Sequence, residues 1–254
     1  MLGNRNLKQI LGAVIGKQHY LALINMVRNY PEFWRNITRY LTGSGQYPYE
    51  IKIRTPNGII SPILYSHHDL LTVNEIFCRC DYFADKNDKV FVDFGSNIGI
   101  SALYFLTRNK ESKCYLYEPD GRNTVKMRKN LFGFEERYSL LEKAVSNERG
   151  KVEFGIEPTG RYGGIGAKTG QTITVDCLDA NDVIAEILEK ETIIDVLKID
   201  VEGVEIITVE AIKPDLAKRI RKIYLEARPE RNLHPALFWQ RQYGSVCQLT
   251  NKRV

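Results

Sequence analysis

The feature that most constrains the fold of this chain is the run VFVDFGSNIG at residues 90–99. A short apolar run ends at Asp93 and Phe94, a turn punctuated by glycines follows, and residues 100–106 are typical of a helix start. A strand, a tight turn and a helix in this order form the unit with which open α/β sheets hold nucleotide-like ligands.

Strand and helix patterns alternate through the rest of the chain. Apolar runs predict further core strands near residues 114–118, 138–142, 195–200 and 222–226. Helical patterns lie between them, near residues 121–131, 180–190 and 204–212, and a closing antiparallel strand is expected at 245–249. This alternation predicts an α/β fold with a doubly wound, mostly parallel sheet.

The glycine turn departs from the dinucleotide fingerprint. Counting from Gly95, Asn97 takes the place of the second glycine in G-x-G-x-x-G, and the last glycine comes one residue early, at Gly99. In dinucleotide sites the second glycine lets the backbone approach a pyrophosphate. Asn tolerates a left-handed backbone but keeps a side chain in the way. The turn therefore favours a nucleoside ligand without a pyrophosphate, and S-adenosylmethionine (SAM) is the leading candidate.

Two acids end the first two core strands. Glu118 lies 118 − 95 = 23 residues after the first glycine of the turn, where an acid is placed to accept both ribose hydroxyls. NAD also contains ribose, so Glu118 predicts nucleoside binding without choosing the cofactor. Asp93 is expected either to orient the turn and meet the cationic end of a ligand, or to cap the amides of the turn itself.

The fourth predicted strand carries three ionisable side chains. A period of two places Lys198, Asp200 and Glu202 on one face, although core strands of parallel sheets normally read as apolar runs. Such groups are costly to bury unless they pair or act chemically, and they lie at the sheet edge that binds ligands. Asp200 and Glu202 are candidates for a general base or for positioning an acceptor, and Lys198 would keep them ionised. A metal held by these acids with Glu226 is disfavoured because nothing fixes its geometry.

The motifs VDFGSNIG, YEPD and LKIDVEGVE, in this order and spacing, resemble the FkbM-type methyltransferase family. The resemblance covers roughly residues 68–228 and implies a SAM-dependent enzyme of class I. By this resemblance the methionine end of SAM is lined by Asp93, Gly95, Asn97 and Gly99, and Glu118 holds the ribose. Ser96 and Ser146 are further candidate cofactor-binding residues. The adenine contact stays open, because Lys143 and Ala144 stand where many class I enzymes place an acid.

Residues 1–48 are expected to form a helical extension, followed by a methyltransferase domain at 49–254. The extension is amphipathic and carries basic residues, so it could anchor the protein at a membrane interface. Packing on the catalytic domain, or on a second subunit in a homo-oligomer, is the favoured interpretation.

Composition narrows the remaining classes. The net charge of +5 comes from scattered side chains, and no nucleic-acid-binding module is present. The five cysteines form no metal-binding pattern, and no apolar run reaches the roughly 18 residues of a membrane span. A cytoplasmic protein with reduced thiols is expected.

The predicted function is O-methylation of a hydroxyl group on a sugar, a glycan or a secondary metabolite. Two alternatives remain from the sequence: an NAD(P)-linked oxidoreductase on a related sheet, and a SAM-binding, non-catalytic partner subunit.

Overall fold

The computed structural model describes residues 17–157, 163–167 and 169–253. The chain forms two compact units, one ending at Phe83 and the other beginning at Ala84. The first unit extends past residue 48 because a strand of a small hairpin contacts the helix at the start of the described chain. The division into domains at residues 48 and 49 stays a prediction.

From residue 17 onward, where the structure describes it, the first unit contains three helices and two small pairs of strands. Its helices are α1 (Lys17–Asn29), α2 (Phe33–Thr42) and α3 (His67–Val73), which continues as a π-helical turn at Asn74–Cys78. Its strands are β1 (Tyr49–Glu50), β2 (Ile53–Thr55), β3 (Gly58–Ile60) and β4 (Ile63–Leu64), paired as β1 with β4 and β2 with β3. The helices expected beyond residue 16 are confirmed, whereas the apolar repeat at residues 7–15 lies outside the described residues.

Helix α1 packs on the π-helical turn through polar side chains. The Asn25 amide donates to the carbonyl of Cys78 at 2.7 Å, and the Asn29 amide donates to the carbonyl of Phe77 at 2.8 Å. Met26 is the buried apolar residue between them. Hydrogen bonds to backbone carbonyls therefore fix this helix as much as apolar burial does.

The sequence pattern predicts a helix from about Asn74 to Phe83, whereas helix α3 begins seven residues earlier, at His67. The Ser66 hydroxyl accepts the Asp69 amide, and the Asp69 carboxylate accepts the Ser66 amide at 2.9 Å, which forms a capping box. The S-x-x-D pattern at residues 66–69 is the sequence signal for this start.

The second unit carries the remaining elements. Its strands are β5 (Val90–Phe94), β6 (Lys113–Tyr117), β7 (Tyr138–Leu141), β8 (Ala144–Ser146), β9 (Gly150–Ile156), β10 (Gly164–Ile165), β11 (Gln171–Asp179), β12 (Ile194–Ile199), β13 (Ile220–Leu225), β14 (Phe238–Tyr243) and β15 (Val246–Asn251). Its helices are α4 (Ile100–Leu106), α5 (Gly121–Asn130), α6 (Ala180–Lys190), α7 (Glu205–Ala211) and α8 (Pro214–Ala217).

Seven strands form the main sheet in the order β14-β15-β13-β12-β5-β6-β7. The pairs from β13 to β7 are parallel, and β15 is antiparallel to both of its neighbours. The chain moves outward from β5 to β7 and then returns to β12 on the other side of β5. Because such crossovers are right-handed, helices cover both faces, and the sheet order reverses between β5 and β12. The predicted doubly wound, mostly parallel sheet is confirmed.

A second sheet has the order β10-β9-β11-β8. Strand β8 continues closely after β7 and pairs in parallel with the end of β11, with Ala144 opposite Cys177. This small sheet accounts for the hairpin strands that the sequence pattern predicts over roughly residues 151–176.

Strand β14 was not predicted, whereas the antiparallel closing strand is confirmed as β15. The sequence FWQRQY of β14 alternates poorly, and only Phe238 of this edge strand is buried. None of the described helices is long and apolar enough to cross a membrane.

The Asp195 carboxylate ties the starts of two central strands together. It accepts the backbone amides of Lys89 at 2.7 Å and Val90 at 2.9 Å, and it pairs with Arg221 at 3.1 Å. Its side chain is 5% exposed.

We expect Asp195→Ala to lower the free energy of unfolding by about 3 kcal/mol, because two amides and a guanidinium lose their acceptor. Urea denaturation measures this loss. Asp215→Ala is the control, since its carboxylate is 91% exposed and pairs with Lys218 at the surface, where loss of an ion pair changes stability little. Equal losses in the two variants would contradict this role for Asp195.

Candidate active site

A cleft opens at the carboxyl ends of β5, β6, β7 and β12, with a volume of about 610 Å³ including its open mouth. The position follows from the sheet, because the strand order reverses between β5 and β12 and ligands of open α/β sheets bind at that point. The lining comes from the glycine turn after β5, the ends of β6 and β7, the β9–β10 hairpin and the loop after β12.

The amides of the glycine turn are bonded within the protein. The amides of Gly95 and Ser96 donate to the Tyr117 carbonyl, each at 3.0 Å, and the Gly99 amide donates to the Ser96 carbonyl at 2.9 Å. The Asn97 amide donates to Glu118 Oε2 at 2.8 Å, and the Ile98 amide donates to Asn97 Oδ1 at 2.7 Å. No amide from Gly95 to Gly99 is left to hold an anionic ligand.

Gly95 allows the turn to touch the loop after β12. Its φ is +86°, and a Cβ built there would lie 1.9 Å from the carbonyl oxygen of Asp200. Since contacts between Cβ and backbone atoms at this distance do not occur, only glycine fits. The cleft floor therefore depends on direct backbone packing between the turn and Asp200.

Glu118 lies buried at the end of β6 and lines the cleft. Besides the Asn97 amide, its carboxylate accepts the amide of Asp120 at 3.0 Å. Burial raises the pKa of Glu118 to about 7, although these hydrogen bonds oppose the shift. The capping of turn amides that the sequence suggested for Asp93 is made by Glu118 instead.

Asp93 and Lys198 form a buried ion pair below the cleft. They are register partners in β5 and β12, so their side chains share a face, and Lys198 Nζ lies 2.9 Å from Asp93 Oδ1. The same ammonium lies 3.2 Å from Asp200 Oδ2 and donates to the Gly95 carbonyl at 2.9 Å. Burial alone lowers the pKa of Lys198, but Asp200 and Asp93 outweigh it and raise that pKa above its usual value. The charged side chain of Lys198 therefore links β12 to β5 and to the glycine turn.

Strand β12 ends at Ile199, so the expected period-two alignment does not reach Glu202. Glu202 has a left-handed backbone with φ of +56°. Its loop is fixed by Glu205, whose carboxylate oxygens accept the Gly203 amide at 3.1 and 3.0 Å. Asp200 and Glu202 nevertheless both line the cleft. A left-handed backbone is uncommon for glutamate, and such strained residues are often found at functional sites.

The β9–β10 hairpin supplies an apolar wall that sequence reasoning missed. Phe154, Ile156 and Ile165 line the cleft. Gly164 brings the hairpin onto the loop after β12, since a Cβ there would lie 2.6 Å from the Glu202 carbonyl oxygen. The alternation of β9 was a possible signal, but which strand face meets the cleft depends on pairing with β11.

The structure divides the predicted site residues into two sets. Those that line the cleft are Gly95, Asn97, Glu118, Asp200 and Glu202. Those that lie behind the lining are Asp93, Ser96, Gly99, Lys198 and Ser146.

The second set supports the walls of the cleft. The Ser96 hydroxyl accepts the Tyr117 amide at 3.1 Å, and a Cβ at Gly99 would meet Met127 at 2.8 Å. Ser146 Oγ contacts Cys177 Sγ at 3.3 Å and accepts the amide of Glu148 at 3.2 Å. Within the described part of the chain, no three His, Cys, Asp or Glu side chains stand together as metal ligands.

Residues 93–246 match the Methyltransferase FkbM domain, which is more than half of the chain. The chain belongs to the FkbM methyltransferase domain family. This match confirms the family predicted from the motifs and, with the observed sheet, the expected fold class. The FkbM domain includes the whole lining of the cleft.

Similar proteins include the 2-O-methyltransferase NoeI of Sinorhizobium fredii (strain NBRC 101917 / NGR234), 34% identical over 70 residues. That alignment spans 28% of this chain and 28% of NoeI. A methyltransferase FkbM from Methylobacillus flagellatus KT has a TM-score of 0.47 and 14% identity, over 98% of this chain and 63% of that one. TrmK of M. capricolum, solved with S-adenosyl-homocysteine, has a TM-score of 0.40 and 12% identity, over 72% of this chain and 68% of that one.

The raised pKa of Glu118 predicts a pH dependence of stability. The folded carboxyl binds its proton more tightly than the unfolded one, whose pKa is 4.5. This contribution is fully present below about pH 4.5 and is lost as the pH rises through about 7. Relative to Glu118→Gln, wild type should lose roughly 3 kcal/mol of unfolding free energy between pH 4.5 and 8. Urea denaturation across this range measures the difference, and parallel curves for the two proteins would contradict it.

Proposed function

We propose that this protein is a SAM-dependent methyltransferase that methylates a hydroxyl oxygen on a sugar, a glycan or a secondary metabolite. One observation carries the proposal: a single cleft joins the buried Glu118 carboxylate to Asp200 and Glu202 across a turn whose amides are all bonded within the protein. Membership of the FkbM domain family supports methyl transfer, and the name of NoeI, a 2-O-methyltransferase, supports an oxygen acceptor.

The residues of the cleft fit SAM. We assign the Glu118 carboxylate to accepting the ribose hydroxyls and the turn from Gly95 to Asn97 to lining the methionine end, since both line the cleft. The roles of Asp93, Ser96, Gly99, Lys198 and Ser146 are proposed to be indirect, since they support these walls from behind.

The turn disfavours the alternative dinucleotide cofactor. A pyrophosphate binds to free amides at a glycine turn and the following helix start. Here Glu118 and the Asn97 side chain occupy the amides of Asn97 and Ile98. An NAD(P) site would have to break these bonds, which supports SAM over the oxidoreductase alternative.

The two carboxylates after β12 have different environments, which suggests different roles. SAM supplies, when bound, a methyl group on a positively charged sulfur. Asp200 is held in an ion pair with the Lys198 ammonium at 3.2 Å, so we assign Asp200 to orienting the acceptor hydroxyl. Glu202 is assigned the role of general base: its carboxylate takes the hydroxyl proton as the new oxygen–carbon bond forms and the sulfur–carbon bond breaks.

The cofactor assignment predicts the effect of Glu118→Ala. Loss of two charge-assisted hydrogen bonds to ribose should weaken binding of S-adenosylhomocysteine by about 1.5–3 kcal/mol, or roughly 10-fold to 150-fold. Isothermal titration calorimetry measures this change, with the exposed Glu189→Ala as a control that leaves affinity intact. Unchanged affinity in Glu118→Ala would remove Glu118 from the site, and tight binding of NADH to wild type would overturn the proposed class.

The catalytic assignment is tested by Glu202→Gln and Asp200→Asn. Release of S-adenosylhomocysteine is first screened against sugars, oligosaccharides and hydroxylated metabolites, with NMR detection of an O-methyl product. With the acceptor found, Glu202→Gln should lower kcat by about 100-fold while cofactor affinity stays within about two-fold. Asp200→Asn should raise KM for the acceptor and also lower the melting temperature, since Lys198 loses a partner.

Full activity in Glu202→Gln would show that a group other than Glu202 acts as the general base. Cofactor binding without turnover on any hydroxyl acceptor would favour the alternative of a non-catalytic, SAM-binding partner subunit.

A further inference from the structure

Helix α1 is amphipathic, but its apolar stripe faces outward and its two bonded asparagines face its own unit. The side chains that it turns toward its own unit include Asn25 and Asn29, which bond to backbone carbonyls. Met26 is buried on the same side, but four other apolar side chains point away, with exposed fractions of 55% for Tyr20, 47% for Leu23, 53% for Ile24 and 54% for Val27. At 100° per residue these four positions cover one stripe opposite the two asparagines. We call this stripe, together with Leu21 (46% exposed), the outer face of α1.

Such a face is not explained by packing within the first unit. Surface helices of globular proteins normally bury their apolar stripe and expose the polar one. Here polar contacts already dock the helix, so the apolar stripe is left available to something outside the described chain. Contiguous exposed apolar side chains of this kind mark interaction sites.

Charge identifies the kind of partner. The first acid in the chain is Glu32, whereas Arg5, Lys8, Lys17 and Arg28 all precede it. The segment that carries the outer face is therefore purely cationic. Two copies of such a segment would repel each other, whereas an anionic surface attracts it, by about 1 kcal/mol for each nearby Lys or Arg.

We propose that the outer face of α1 binds an anionic lipid bilayer at its interface. The helix lies in the plane of the membrane with its apolar stripe among the acyl chains and its cations at the head groups. This proposal reverses the preference, drawn from the sequence, for packing of this helix on a second subunit. The reason is that Asn25 and Asn29 bond to backbone carbonyls on the inner face beside the buried Met26, which the sequence pattern did not reveal.

Vesicle flotation with the full chain tests the proposal. Vesicles of phosphatidylcholine alone are compared with vesicles of equal parts phosphatidylcholine and phosphatidylglycerol. Wild type should float with the anionic vesicles only, and high salt should release it because charge attraction is screened. The variant Ile24→Glu/Val27→Glu should bind at least 10-fold more weakly.

The control variant Val125→Glu/Phe132→Glu changes the net charge equally at exposed apolar sites of the second unit, 57% and 83% exposed. It should float nearly as well as wild type. Melting curves verify that both variants fold, and Ile24→Ser/Val27→Ser serves as the test variant if the glutamates prevent folding.

Three results would overturn the proposal. If wild type does not float but forms a dimer that the substitutions Ile24→Glu/Val27→Glu dissociate, the outer face binds a second copy of the chain. If wild type does not float and this variant has a lower melting temperature than wild type, the outer face is covered by the chain's own upstream residues. Flotation that this variant retains would place lipid binding elsewhere on the molecule.

Discussion

The buried ammonium of Lys198 is the interaction on which the candidate site depends. It bonds Asp93 from β5, Asp200 from the loop after β12 and the Gly95 carbonyl of the turn. A lysine placed so deep is costly unless its charge is paired. This pairing fixes the distances between the end of β5, the start of the glycine turn and the loop after β12. The floor of the cleft is therefore set by electrostatics as well as by packing.

The glycine turn that Lys198 contacts shows how a glycine motif can become unsuitable for one class of ligand. Its amides are used inside the protein, two of them by the side chains of Glu118 and Asn97. An anion that needs free amides finds none, whereas hydroxyl groups can still approach the oxygens of Glu118. The chemistry of the site thus follows from which hydrogen bonds the fold has already made.

Much of this arrangement could be predicted from the sequence because it is local. The strand at 90–94, the turn and the acid at residue 118 are consecutive elements with fixed spacing, and Lys198 stands out in an apolar run. The position of Glu202 could not be predicted, since its left-handed backbone breaks the period of two. Phe154 and Ile165 reach the cleft through pairing within the β9–β10 hairpin and with β11, and Ser146 contacts Cys177 through pairing of β8 with the distant β11. Long-range pairing of this kind leaves no periodic trace in the sequence.

The polar docking of α1 also has a consequence for local stability. Within α1, Met26 is the residue whose apolar side chain is buried, and the hydrogen bonds from Asn25 and Asn29 exchange with water at little net cost, whereas apolar burial holds most helices to their domains. The free energy for detaching α1 should therefore lie well below that for unfolding the whole chain. Native-state hydrogen exchange would see its amides open first, as a separate cooperative segment. A helix held this loosely can change its surroundings while the methyltransferase fold stays intact.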